Sequence, residues 1–85
     1  MKLRVWWIPQ VPMKPFRVPV ESVREGVKLM NVLADYDLFQ FRNNIKPDYC
    51  NVGGLEMYDE EEKSWMDWYD EESGEDDPAA FVGNL

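Results

Sequence analysis

The sequence predicts an α+β fold: a small antiparallel β-sheet in the order β-β-α-β-β, one helix packed on one face, and an acidic C-terminal tail. Three observations lead there. Apolar residues alternate at 3–8 and again at 16–20, the period changes to three and four residues after Ser22, and short aromatic runs return after residue 54. With 85 residues the chain makes one thin-cored domain, burying only about 60–65% of the surface that its unfolded form exposes. On this reading residues 1–70 hold the α+β domain and residues 71–85 form a flexible acidic tail.

Residues 3–8, LRVWWI, are β-branched, aromatic or apolar around Arg4 and form the first strand. Side chains alternate along a strand, so Leu3, Val5 and Trp7 share one face and Arg4, Trp6 and Ile8 the other. Pro9, Pro12 and Pro15 then remove backbone donors and make PQVPMKP an extended connection. Phe16, Val18 and Val20 resume the alternation, and Pro19, which has no N–H for a ladder, places this second strand at an edge.

Ser22 and Glu25 in SVRE form a capping box at the start of a helix. Val23, Val27, Met30, Leu33 and Ala34 follow as an apolar stripe, expected to face Leu3, Val5, Trp7 and Phe16. The helix is expected to end near Asp35, with YDLFQFRNN as a further helical segment or an irregular arm. Gly26 inside it costs roughly 1 kcal/mol relative to alanine, which a strand passing close by would explain. NNIKPDYCNVGG is dense in turn formers and reads as a loop, and LEMYD and SWMDWYD are two short strands around the turn EEEK. EESGEDDPAA has too few large apolar groups to offset its ordering entropy, so removing residues 71–85 is expected to leave the fold intact. FVGNL at the end docks weakly or stays mobile.

A two-layer domain leaves the face of Trp6 and Ile8 uncovered. Trp65 and Trp68 are three residues apart and take opposite faces, so Trp6 and one of these later tryptophans form an exposed aromatic patch, a route to a homodimer through the open sheet face.

Catalysis has little support. There is no histidine, and Cys50, the only cysteine, has no imidazole to activate it. Paired carboxylates need a pocket that keeps one of them protonated, whereas the acids here lie in hydrophilic runs. The density of acids in DWYDEESGEDDP does not match a calcium loop read from Asp67 or from Asp70. The expectation is a protein with no catalytic residues, no metal and no cofactor.

Charge is more informative. The net charge is −8, yet residues 1–55 carry eight basic and five acidic groups, while residues 56–85 carry twelve acidic groups and only Lys63. Such a field disfavours direct binding to a phosphate backbone and favours a basic protein as partner. The expected partner-binding residues are the acids of the hairpin tip and the following segment, Asp59, Glu60, Glu61, Glu62, Asp70, Glu71 and Glu72, with Trp68 and Tyr69 beside them and Trp6 and Ile8 on the open face. The apolar run VWWI stops at Pro9, far short of a membrane span, and a lone cysteine fits a reducing compartment, so the reading is cytoplasmic.

LRVWWIPQVPMKPFRVPV, LADYDLFQFRNNIKPDYCNVGGLE and the acidic, tryptophan-bearing hairpin resemble a group of small tailed-phage proteins, some of them labelled superinfection exclusion proteins. The resemblance spans roughly residues 2–70, with NNIKPDYCNVGGLE its most distinctive stretch, and it supplies no catalytic residues. With the residue readings above, it implies a phage-encoded, non-enzymatic accessory protein of the host cytoplasm that binds and blocks a host or rival-phage protein, in superinfection exclusion or counter-defence. A DNA mimic that inhibits a nucleic-acid-binding host enzyme, its carboxylates imitating phosphate spacing, is the alternative of a different class.

Overall fold

The computed structural model describes residues 1–85. Its elements are β1 (Leu3–Ile8), β2 (Phe16–Val20), α1 (Val23–Arg42), β3 (Val52–Asp59), β4 (Ser64–Asp67) and α2 (Pro78–Gly83). The four strands make one sheet in the order β2-β1-β3-β4 with every neighbour antiparallel. This is the predicted α+β class, with a second short helix added. The strand carrying Pro19 does lie at an edge, where its missing donor costs nothing.

Leu3, Val5 and Trp7 are buried on the helix face, opposite Val20, Val18 and Phe16 on one side and Met57, Leu55 and Gly53 on the other. The core consists of Leu3, Val5, Val20, Leu55, Met57 and Trp68, and Val23, Leu29, Met30 and Leu33 of α1 pack against it only partly buried. Phe16 departs from expectation: it faces the helix by register but is 58% exposed, because β2 is the outer strand.

Ser22 Oγ accepts from Glu25 N–H at 3.0 Å, and Glu25 Oε2 accepts from Glu21 N–H at 2.8 Å, so the predicted cap is present with its return bond one residue earlier. Gly26 sits where a strand does pass close, since a Cβ there would meet Leu55 Cδ1 at 2.9 Å. The helix does not end near Asp35. It continues unbroken through YDLFQF to Arg42, where Asn43 Nδ2 donates to Phe39 O at 2.8 Å. Residues 35–42 contain no glycine or proline to stop it, and Asp37, the one charge on its inner face, is fully partnered.

The paired tryptophans answer to paired glycines. Trp6 stands opposite Gly54 and Trp7 opposite Gly53, on the two faces of the sheet. A Cβ on Gly53 would lie 2.1 Å from Trp7 Cε3, and one on Gly54 would lie 2.7 Å from Trp6 Nε1, so each indole lies across the bare backbone of its partner. Gly53→Ala should therefore displace the buried Trp7 ring and lower stability by about 1–3 kcal/mol. Urea denaturation followed by tryptophan emission checks this, and a change within about 0.5 kcal/mol would contradict the contact.

Beyond residue 70 the chain forms a turn and then α2. Asp70 Oδ2 accepts from Ser73 N–H at 3.0 Å and from Ser73 Oγ at 2.7 Å, which closes a turn. Asp77 then caps α2 by accepting from Ala79 N–H at 3.0 Å, with Pro78 at the first helical positions. A six-residue helix has no stability of its own; α2 is held by packing against α1 and by Phe81, which meets Trp68 edge-on with ring centroids 5.2 Å apart. Deleting residues 71–85 uncovers Trp68 and should cost about 1–3 kcal/mol, less than the loss of a fully buried phenylalanine because Phe81 is half-buried. A truncated chain as stable as the parent in urea would show that residues 71–85 are dispensable to the fold.

Candidate functional site

The hairpin tip is built by Asp59, whose Oδ1 accepts from Glu61 N–H at 2.9 Å and from Glu62 N–H at 3.3 Å. This carboxylate-closed turn leaves Glu60, Glu61 and Glu62 exposed, and Lys63 completes the turn at φ 52°. The turn after β4 brings Tyr69 and Glu71 back beside the tip. Together Asp59, Glu60, Glu61, Tyr69 and Glu71 line a groove of about 370 Å³ with Met57, Tyr58, Met66 and Met1. Five of the residues expected to bind a partner are thus assembled by the β3–β4 hairpin.

Trp6 lies elsewhere, on the open face. A concavity of about 410 Å³ sets it beside Asp67, Asp76 and Asp77, so this ring is also flanked by carboxylates. Ile8 is half-buried at the far end of β1, opposite Val52, and joins neither group. Trp68 is corrected by the structure: only 5% exposed, it belongs to the core under Phe81 and offers no surface to a partner. The later tryptophan on the open face is Trp65. Arg4 lies 4.0 Å above its ring, Tyr58 meets it edge-on at 5.4 Å, and Lys2 stands 5.2 Å from the Tyr58 ring. Arg4 Nε also donates to Glu56 Oε1 at 2.7 Å, so the chain's own cations already cover much of the expected aromatic patch.

The residues that sequence reasoning missed lie on the opposite side. Asp37 is 3% exposed. Its Oδ2 accepts from Trp7 Nε1–H at 2.8 Å and from Asn51 Nδ2–H at 2.9 Å, and its Oδ1 accepts from Lys46 Nζ at 2.8 Å. Lys46 Nζ also donates to Pro9 O at 2.6 Å. Burial pushes the Asp37 carboxyl up, but the hydrogen bonds from Lys46, Asn51 and Trp7 and the charge of Lys46 outweigh it, and its pKa falls below the ordinary 3.8. This network ties α1, the end of β1 and the 43–51 loop together at the base of a 310 Å³ apolar concavity between Phe16, Leu33 and Tyr36. The signal was available: Asp37 follows Met30 and Leu33 at helical spacing and so stands in the inward stripe.

Cys50 is exposed, and no group of three or more histidine, cysteine, aspartate or glutamate side chains is placed to hold a metal ion. No helix is long and apolar enough to cross a membrane. The only ion pairs are Arg4–Glu56 and Lys46–Asp37, so the carboxylates of the tip and of the turn after β4 are not engaged by the chain's own cations.

These features define a small α+β protein whose distinctive chemistry is an array of aromatic and acidic groups around an edge hairpin. The model of the family Superinfection exclusion gene product 17 matches residues 2–85, and the chain belongs to that family. A superinfection exclusion protein of Salmonella phage P22 is 55% identical over an alignment of 96 residues that covers all of this chain and 93% of the relative. No solved structure matches the chain. The match extends through the acidic segment and α2, beyond the 2–70 span that carries the resemblance in the sequence.

Proposed function

We propose that this member of the superinfection exclusion family acts without catalysis in the host cytoplasm, by binding and blocking a basic host or rival-phage protein. The observation that carries the reading is that Tyr69 and Trp6 each stand among carboxylates that the chain's own cations leave unpaired. Aromatic rings supply contact area and the acids steer a basic partner to it. The DNA-mimic alternative draws on one feature, the backbone bonds that fasten Asp59 and Asp70 in their turns, and competition by duplex DNA for the captured partner separates the two.

The test is a plating assay with a challenging phage, together with association kinetics against a partner captured from infected cells. Glutamine at Glu60, Glu61, Glu62, Glu71 and Glu72 should lower the association rate by about tenfold or more at low salt and flatten its salt dependence. Protection should fall with it, while urea stability stays within about 0.5 kcal/mol because these side chains are exposed. Undiminished protection by the charge-neutralised protein would sink this function.

A further inference from the structure

The groove between the hairpin tip and the turn after β4 has a chemistry more specific than negative charge. Met57 and Met66 face each other across β3 and β4, on the face that α1 covers over β1; Met57 is buried in the core beneath the groove, and half-buried Met66 gives the groove its apolar surface. Tyr69 stands at its side, exposed, and Asp59, Glu60, Glu61 and Glu71 form its rim. Methionine is unbranched and polarisable, so an apolar surface made of it adapts to different apolar shapes. At about 370 Å³ the groove lies within the size range of small ligand-binding clefts.

We infer that this groove receives a basic amphipathic segment of the partner protein, which inserts a large apolar side chain against Met66 and sets lysines or arginines against the four rim carboxylates. Charge complementarity selects this occupant. None of the rim acids has an ion-pair partner within the chain, and a second copy would bring its own acidic rim against the first. An acidic or purely polar segment would leave either the rim or the apolar surface without a complement. The inference rests on the proposed function and names the chemistry of its partner.

The probe is a synthetic peptide of about fourteen residues, built of leucine and lysine with the leucines on one helical face. Titrated into the full-length protein, it should shift and saturate the methyl signal of Met66 in carbon-13 NMR spectra. A peptide of the same composition with its leucines dispersed around the helix should bind at least about tenfold more weakly, as should the glutamate-for-lysine version. Tyr69→Ser changes only an exposed side chain and should weaken the amphipathic peptide by a similar factor, and Met66→Gln should do so with an unchanged circular dichroism spectrum. A still Met66 signal, equal binding of the dispersed peptide, or full affinity in Tyr69→Ser would overturn the groove. Peptide binding that behaves as expected beside undiminished protection by the charge-neutralised protein would instead remove the proposed function and leave the groove standing.

Discussion

Asp37→Ala should destabilise the protein by about 3–5 kcal/mol, the cost of leaving one member of a buried ion pair without its partner. Lys46 would keep only Pro9 O, and the Trp7 indole N–H and the Asn51 amide would lose their shared acceptor. Lys46→Met should be nearly as damaging, because burial would then act on Asp37 without the opposing charge. The double replacement Asp37→Leu with Lys46→Met should recover much of the loss, since no charge is stranded. Urea midpoints for the three variants decide the matter, and a single-variant loss under about 1 kcal/mol would show that the pair does not hold the loop.

The same carboxylate sets an acid dependence. Its pKa is lowered in the folded state, so its contribution is complete above the ordinary value of 3.8 and is lost as pH falls through the lower native value. Asp37→Asn removes that titration. The stability difference between parent and Asp37→Asn should therefore be constant from neutral pH down to about pH 4 and shrink below it. A difference that holds constant to the lowest pH at which both remain folded would contradict a lowered Asp37.

Trp68→Ala is the second large effect, with an expected loss of about 3–5 kcal/mol. Trp68 is the largest side chain of the core and the seat of Phe81, so its removal opens the core and releases α2 together. Hydrogen exchange adds a distinguishing readout. In Trp68→Ala the amides of Phe81 and Asn84, which donate to Asp77 O and Ala80 O, should lose protection ahead of the β1–β3 ladder. A loss near 1 kcal/mol with α2 still protected would mean that the helix is held by something other than this ring pair.

Much of the fold can be read from short stretches, and the reason is physical. Alternation in LRVWWI and FRVPV fixes which side chains share a face. The Ser22 and Glu25 pair marks the helix start, Pro19 marks an edge, and EEEK between aromatic runs marks the hairpin tip. All of these are set by neighbours within about four residues, the range over which backbone sterics and capping bonds act. The concentration of acid in residues 56–85 is equally a property of the sequence, and with it the choice of the tip and the turn after β4 as a charged surface.

Tertiary structure decided what depends on distant partners. Trp6 and Trp7 find room because register places Gly54 and Gly53 under them, a match between segments separated by more than forty residues. Asp37 stands in the inward stripe by its spacing, but only the closing of α1 against β1 and the 43–51 loop surrounds it with Trp7, Lys46 and Asn51 and makes its burial tolerable. Trp68 reads from the sequence as a surface aromatic; the sheet's core residues and Phe81, from a six-residue helix too short to form alone, put it in the core. The groove beside Met66 arises in the same way, from two strands and a turn whose side chains meet only when the hairpin closes, because register and burial are set by long-range packing that no local pattern encodes.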